Sequence, residues 1–358
     1  MPPTTQDARR GVRSTTSYAA LSRTVRDMGL LRRAHGYYAW TGGVLALALG
    51  GVVASVVLLG DSWWQLLLAA ALGVLLTQTA FLAHEAAHRQ VLSSGRANDR
   101  LGRVLANGVV GISYSWWMAK HSRHHANPNR VDKDPDIEND TLVFTVDGAR
   151  SQRRWLRPLQ RVQGWAFFPL LTLEGLNLHA TSIRSLLTGA RAERHSRARE
   201  LTTIALRLTL YVGALVWLLP PGLAAAFLGV QLAVFGVYMG ASFAPNHKGM
   251  AIIPADSRID FFSKQVLTSR NIRGGHVMSV LMGGLNFQIE HHLFPSMPRP
   301  HLVRARELVR AHCASNGVPY TETSLMRSYA IVVRYLNEVG LAARDPFDCP
   351  AYHQLRGV

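Results

Sequence analysis

Four long apolar stretches fall into two pairs along the chain. Ala39 to Gly60 carries no charged side chain, Asp61-Ser62 interrupts it, and Trp63 to Ala83 resumes the apolar run. Leu201 to Leu219 and Gly222 to Ala244 repeat the arrangement around Pro220-Pro221, with Arg207 as the one charge inside them. Each is long enough as a helix to cross a hydrocarbon core of about 30 Å. Trp63 and Trp64 stand where interfacial aromatics are expected, and Arg207 is close enough to the inner end to snorkel. From His84 to Glu200 no stretch predicts a span. Gly108 to Met118 is too short and reads as a helix lying in the membrane interface. Leu170 to Leu187 is interrupted by Glu174, Asn177, His179 and Arg184. Beyond the fourth span, Leu302 to Cys313 and Leu325 to Val339 have the spacing of amphipathic helices, after a break at Pro295, Pro298 and Pro300.

The pattern predicts an all-α integral membrane protein with four transmembrane helices in two hairpins and a helical cap on one face. It divides into a basic arm at 1–38, with an interfacial helix from about Tyr18, a membrane domain at 39–320, and a C-terminal tail at 321–358. The arm lacks the early apolar core of a signal peptide. No internal sequence repeat relates the two hairpins.

Charge adds an orientation. The formal net charge is +17, and only Lys120, Lys133, Lys248 and Lys264 are lysines, so arginine dominates; such usage hints at a GC-rich bacterial source. The basic residues avoid the apolar runs, and no recognition-helix or zinc-finger pattern accompanies them, which argues for a membrane surface and against nucleic acid. Asp61-Ser62 and Pro220-Pro221 carry no Lys or Arg while the other flanks are rich in them. By the positive-inside rule both turns face out and both termini face the cytosol.

Three histidine clusters then fall on the cytosolic side: HEAAH (His84, His88), HSRHH (His121, His124, His125) and QIEHH (His291, His292, with Gln288 four before His292). Histidines three or four apart on a helix share one face. Seven in three clusters exceed what one four-coordinate zinc can use and suit two metals. HEAAH alone also fits the H-E-x-x-H motif of zinc proteases, with Glu85 as base, but that reading leaves the other two clusters unexplained. Cys313 and Cys349 cannot form an iron–sulfur centre or a C-x-x-C pair and read as free thiols.

The boxes HxxxH, HxxHH and QxxHH, two after the first pair of spans and one after the second, resemble those of the integral-membrane fatty acid desaturases. The resemblance covers about Ala39 to Tyr320. GGLNFQIEHHLFPSMPRPHL at Gly283 to Leu302 is similar in particular to bacterial acyl-CoA desaturases of the linoleoyl-CoA type. It implies a cytosolic cap carrying a histidine-ligated di-iron centre, which uses O₂ to remove two hydrogens from a long acyl chain and leave a cis double bond. Matched position by position, the implied ligands are His84, His88, His121, His124, His125, His291 and His292, with His247 just after the fourth span. Gln288 stands where many relatives carry histidine and is not counted as a ligand. His179 and His276 match no motif and read as structural. Asp132, Asp134 and Asp136 are candidates to orient imidazoles through their second ring nitrogen, or else form a solvated acidic loop. The arginine-rich surface suits an acidic head such as the phosphates of coenzyme A, while a carrier protein and a membrane lipid are the other carriers left open.

A membrane metalloprotease with one zinc and a di-iron lipid hydroxylase are the alternative activities. A metal transporter is disfavoured because transporters place ligands near the bilayer midplane and these boxes follow the spans. Reducing O₂ to water takes two further electrons, and the chain shows neither a G-x-G-x-x-G fingerprint nor a cluster site. A separate NAD(P)H-dependent reductase or ferredoxin-like donor is therefore expected.

The orientation has a direct check. A cysteine placed at Ser62 should react with an impermeant thiol reagent from outside the cell, and one at Ser196 should not; outside labelling at Ser196 would reverse the topology.

Overall fold

A computed structural model describes residues 18–189 and 194–342; Arg9, Arg10, Arg13 and Cys349 lie outside the described residues. The helices in chain order begin with α1 (18–27), α2 (His35–Leu59), α3 (Gln65–Ala87), α4 (Gly95–Arg103) and α5 (Tyr114–Ala126). They continue with α6 (Val146–Ser151), α7 (Arg157–Gln160), α8 (Gln163–Thr188), α9 (Arg194–Leu218) and α10 (Pro221–His247). The cap adds α11 (Phe261–Leu267), α12 (Gly275–Leu281), α13 (Gln288–Leu293), α14 (Leu302–Ser315) and α15 (Leu325–Ala342). A two-residue parallel pair, Asn271–Ile272 with Glu322–Thr323, departs from the all-α expectation.

Four helices are long and apolar enough to cross a membrane: α2, α3, the 196–218 part of α9, and α10. α2 is apolar around its whole circumference and leaves Leu47 (79%) and Leu58 (86%) exposed, as a helix facing lipid should. Val56 and Ala69 pack with Leu215, Leu219, Leu223 and Phe227. The two turns therefore lie side by side. Gln65 closes the first, donating to the Val56 carbonyl at 2.8 Å and the Gly60 carbonyl at 2.9 Å. The histidine ends of α3 and α10 lie at the opposite end of the bundle.

Several expectations change. HEAAH forms the last turn of α3, through Ala87, and His247 is the last residue of α10, because a backbone hydrogen-bond ladder continues past the last apolar side chain. Gly108 to Met118 is not one helix. A π-helix, Val104–Val110, ends at Gly111 with φ 93°. α5 then begins with the Ser113 hydroxyl accepting from Trp116 N. This break is not interfacial: Val110 and Ile112 pack on Leu76 and Phe235, partway along α3 and α10. Arg207 does not snorkel to the surface, because its Nε donates to the Val109 carbonyl at 2.9 Å.

The polar residues that interrupt Leu170 to Leu187 do not interrupt the helix. α8 is continuous over 26 residues and lies along α10. Gly175 and Gly236 let the two backbones touch; a Cβ on Gly236 would sit 2.4 Å from Gly175 N and from the Leu171 carbonyl oxygen. In the cap, Leu21 and Val25 of α1 pack with Phe262, Leu293, Val309 and Cys313. Val332 and Leu336 of α15 pack on Phe167, Leu171 and Ala244. Packing thus runs across the partitions at 38 and 320, joining arm and tail to the body.

Gly236→Val should force α8 and α10 apart and cost at least about 1–3 kcal/mol. Thermal unfolding in detergent would read this as a lowered midpoint, and an unchanged midpoint would contradict the crossing.

Candidate metal centre

Each histidine arrives on the end of an element whose position the packing already fixes. α3 supplies His84 and His88 from its last turn, α5 supplies His121, His124 and His125, α10 supplies His247, and α13 supplies His291 and His292. The structure brings together all eight histidines singled out in the sequence. They form two groups, His84, His88, His121, His125 and His291 in one and His124, His247 and His292 in the other. Within each group one ring nitrogen per residue lies within 4.8 Å of all the others.

The three-histidine group shows how rings are aimed. His124 Nδ1 faces Asp134 Oδ1 at 3.0 Å, His247 Nδ1 faces the Thr268 carbonyl at 2.9 Å, and His292 Nδ1 faces Gln265 Oε1 at 2.9 Å. With Nδ1–H donating to these oxygens, each Nε2 lone pair turns into the group. In the five-histidine group His121 Nε2 lies 3.1 Å from His84 Nε2 and 2.8 Å from His88 Nε2. His125 has no partner for either ring nitrogen, and His291 and His292 have none for Nε2. Burial pushes the pKa of His121, His125, His291 and His292 well below the ordinary imidazole value and that of His88 to about 3. Neutral rings with converging, unsatisfied nitrogens are what a metal needs from its ligands. The residues fit a pair of imidazole-bound metals.

His124 differs. Burial pulls its pKa down, but Asp136 and Asp134 outweigh burial and raise it. Asp134 is itself held by Asn129 N at 2.6 Å and Asp136 N at 2.9 Å. Of the three aspartates proposed to orient imidazoles, Asp134 and Asp136 reach His124. Asp132 is exposed in a left-handed turn. Gln288 Nε2 lies 2.8 Å from His247 Nε2, so this side chain walls the three-histidine group. His179 is buried between the Gly175 and Val110 carbonyls, and His276 is exposed at the start of α12; neither joins the groups.

Glu85 is not aimed at the metal groups. Its two oxygens accept from Arg299 Nε at 2.6 Å and Nη2 at 2.7 Å, which leaves no free base for the protease reading. The pair ties HEAAH to the chain after QIEHH. Its cost of burial is offset by two parallel charge-assisted bonds. Glu290 has a similar supporting role, accepting from Asn271 and from the Tyr320 hydroxyl at 2.7 and 2.9 Å; burial raises its pKa to about 7. Sequence reasoning missed Arg299, Gln265, Thr268 and Asn271, since nothing in their local spacing connects them to a box. Only the Glu inside HEAAH and the Glu inside QIEHH signalled that buried partners were needed.

A cavity of about 570 Å³ opens beside the histidines. Its mouth carries Lys120, Asp136, Glu138, Asp140 and Glu174, its middle reaches His84, His121, His124 and His247, and Leu171, Met239 and Phe243 line its apolar wall. Lys120 pairs with Asp136 at 3.1 Å, and Lys248 donates to the Asp136 carbonyl at 2.6 Å.

Comparison with known proteins identifies the family. The fatty acid desaturase family profile matches residues 61–324. An acyl-lipid (9-3)-desaturase of Physcomitrium patens is 32% identical over 75% of this chain, which spans 52% of that protein. A delta(8)-fatty-acid desaturase of Arabidopsis thaliana is 30% identical over 85% of this chain and 69% of its own length. A delta(6)-fatty-acid desaturase of Caenorhabditis elegans is 27% identical over 90% and 74%. The chain thus spans about half the length of the first of these relatives.

Asp134→Ala should free the His124 ring and weaken metal binding by about 10–100-fold. Competition with a chelator measures this, and an unchanged affinity would contradict the orienting role.

Proposed function

The chain belongs to the fatty acid desaturase family, and from that premise we propose that it introduces a cis double bond into a long-chain acyl substrate. The histidine ligands are His84, His88, His121, His124, His125, His247, His291 and His292, holding two iron ions. The observation that carries this reading is the apolar cavity that passes directly beside both histidine groups. Bound iron supplies the activation of O₂ for removal of two hydrogens.

The chain's own residues do the rest. Leu171, Met239 and Phe243 exclude water from the acyl chain beside the histidines. Asp134, Thr268 and Gln265 keep Nε2 of the second group turned inward. Arg299 holds Glu85 away from the site, which disfavours peptide hydrolysis by HEAAH.

Among the carriers, the cavity favours an acyl-lipid over acyl-CoA. Its ionisable lining, apart from the histidines and Tyr114, is Lys120 and Lys248 against Asp136, Glu138, Asp140 and Glu174, with no arginine. A lining with four acids and two lysines suits a zwitterionic or neutral head better than the phosphates of coenzyme A. The arginine-rich surface reaches the cavity through Arg123, which pairs with Glu138 at 2.9 Å. It suits an acidic redox partner that delivers the two electrons, steered by charge. The absence of Lys and Arg from the Asp61-Ser62 and Pro220-Pro221 turns supports a site on the cytosolic side of the membrane.

Expression in a host lacking the activity, followed by analysis of acyl products, tests the reading: new cis double bonds should form with phosphatidylcholine-bound chains. Purified protein supplied with NADPH and O₂ should stay inactive until a reductase or ferredoxin-like donor is added. Sustained turnover without one would mean an internal redox site exists.

A further inference from the structure

The apolar end of the cavity is built from backbone with incomplete helical bonding. Val110 and Ile112, on either side of Gly111, line the cavity and pack on Leu76 and Phe235. Leu76 stands eight residues before His84, about 12 Å away along α3. Broken backbone at that depth needs protein partners, because hydrocarbon offers none. The Ala106 carbonyl of the π-helix accepts from Gly111 N at 2.8 Å and Ile112 N at 2.9 Å, but the Val109 and Val110 carbonyls at its end turn to side chains.

Arg207 supplies one. Its Nε donates to the Val109 carbonyl at 2.9 Å, and its guanidinium lies 4.7 Å over the Tyr211 ring. The Tyr211 hydroxyl in turn donates to Gln231 Oε1 at 3.2 Å. Among the described residues no carboxylate pairs with Arg207. An ionised side chain inside a span is costly and calls for a specific partner; here the partner is a carbonyl of the cavity's end wall. The fit is close on both sides. A Cβ on Gly111 would meet Arg207 Cδ at 3.3 Å, and His179 Nε2 lies 3.2 Å from the Val110 carbonyl.

We propose that Arg207 is a positioning residue that fixes Val110 and Ile112 as the floor of the substrate cavity. The floor sets how far an acyl chain extends past the histidines, and hence which carbons lie opposite them. This rests on the desaturase reading and adds to it the residue, outside the cavity, that determines chain-length and double-bond selectivity.

The test compares wild type, Arg207→Leu and Arg207→Lys, each supplied with phosphatidylcholine carrying acyl chains of graded length. Double-bond position is read by mass spectrometry, and iron content is measured on the same samples. With the floor released, Arg207→Leu should retain its iron but lose roughly tenfold or more of its discrimination between chains that differ by two methylenes. New double-bond positions should appear, and Arg207→Lys, which can still donate to Val109, should restore most of the wild-type pattern. If Arg207→Leu does not fold, Val110→Ala and Ile112→Ala deepen the floor directly and should shift selectivity the same way. An unchanged product pattern in the folded variants overturns the proposal, as does loss of iron that parallels loss of activity in Arg207→Leu. A wild-type protein that makes no double bond with any chain instead removes the desaturase reading itself.

Discussion

The convergence of eight imidazoles from four separate helices is the constraint on which the rest of the structure depends. Lone pairs that face one another at 2.8 to 3.1 Å, as those of His84, His88 and His121 do, are mutually unfavourable unless a cation or a proton lies between them. Burial lowers the pKa of His88, His121, His125 and His291, which disfavours an imidazolium there and leaves neutral rings able to bind a metal. The Glu85–Arg299 pair ties the helix end that carries His84 and His88 to the segment after the third box, while Asp134, Thr268 and Gln265 hold the rings of the second group. Removing one partner of that buried pair would leave the other charge uncompensated, which typically costs about 3–5 kcal/mol.

The same economy governs the apolar half. Spans that are hydrophobic all round carry little information about which face meets which. Glycines where backbones touch, at Gly175 and Gly236, fix the α8–α10 crossing. Polar side chains inside the bundle, Gln65, His179 and Arg207, are each committed to a backbone carbonyl that would otherwise be unsatisfied. These contacts hold a cavity open between α3, α8 and α10 while its wall remains apolar, and they connect the shape of the membrane region to the position of an acyl chain at the histidines.

Much of this was legible in the sequence. The four spans follow from uncharged runs, and the eight histidines from helical spacing together with a family resemblance. What was not legible has physical reasons. Hydropathy counts side chains and not hydrogen bonds, so it ended α3 before His84 and α10 before His247, although both helices run on. It treated Gly108 to Met118 as one helix because apolarity is blind to the left-handed turn at Gly111. The polar residues of α8 read as interruptions, yet Glu174 and Asn177 line the cavity, His179 turns inward and Arg184 is left on the surface. Arg299, more than two hundred residues from Glu85, could be paired with it only in three dimensions. The aspartates were read as a set, and only the fold separated Asp134 and Asp136, which reach His124, from Asp132, which faces solvent.

The central claim is that the two histidine groups are two metal sites of one centre, and counting metal per chain tests it most directly. Purified protein analysed by elemental mass spectrometry should hold close to two iron ions per chain, and His124→Ala should lower that number while abolishing activity. One zinc per chain with full activity, or an iron content indifferent to His124, would contradict the account.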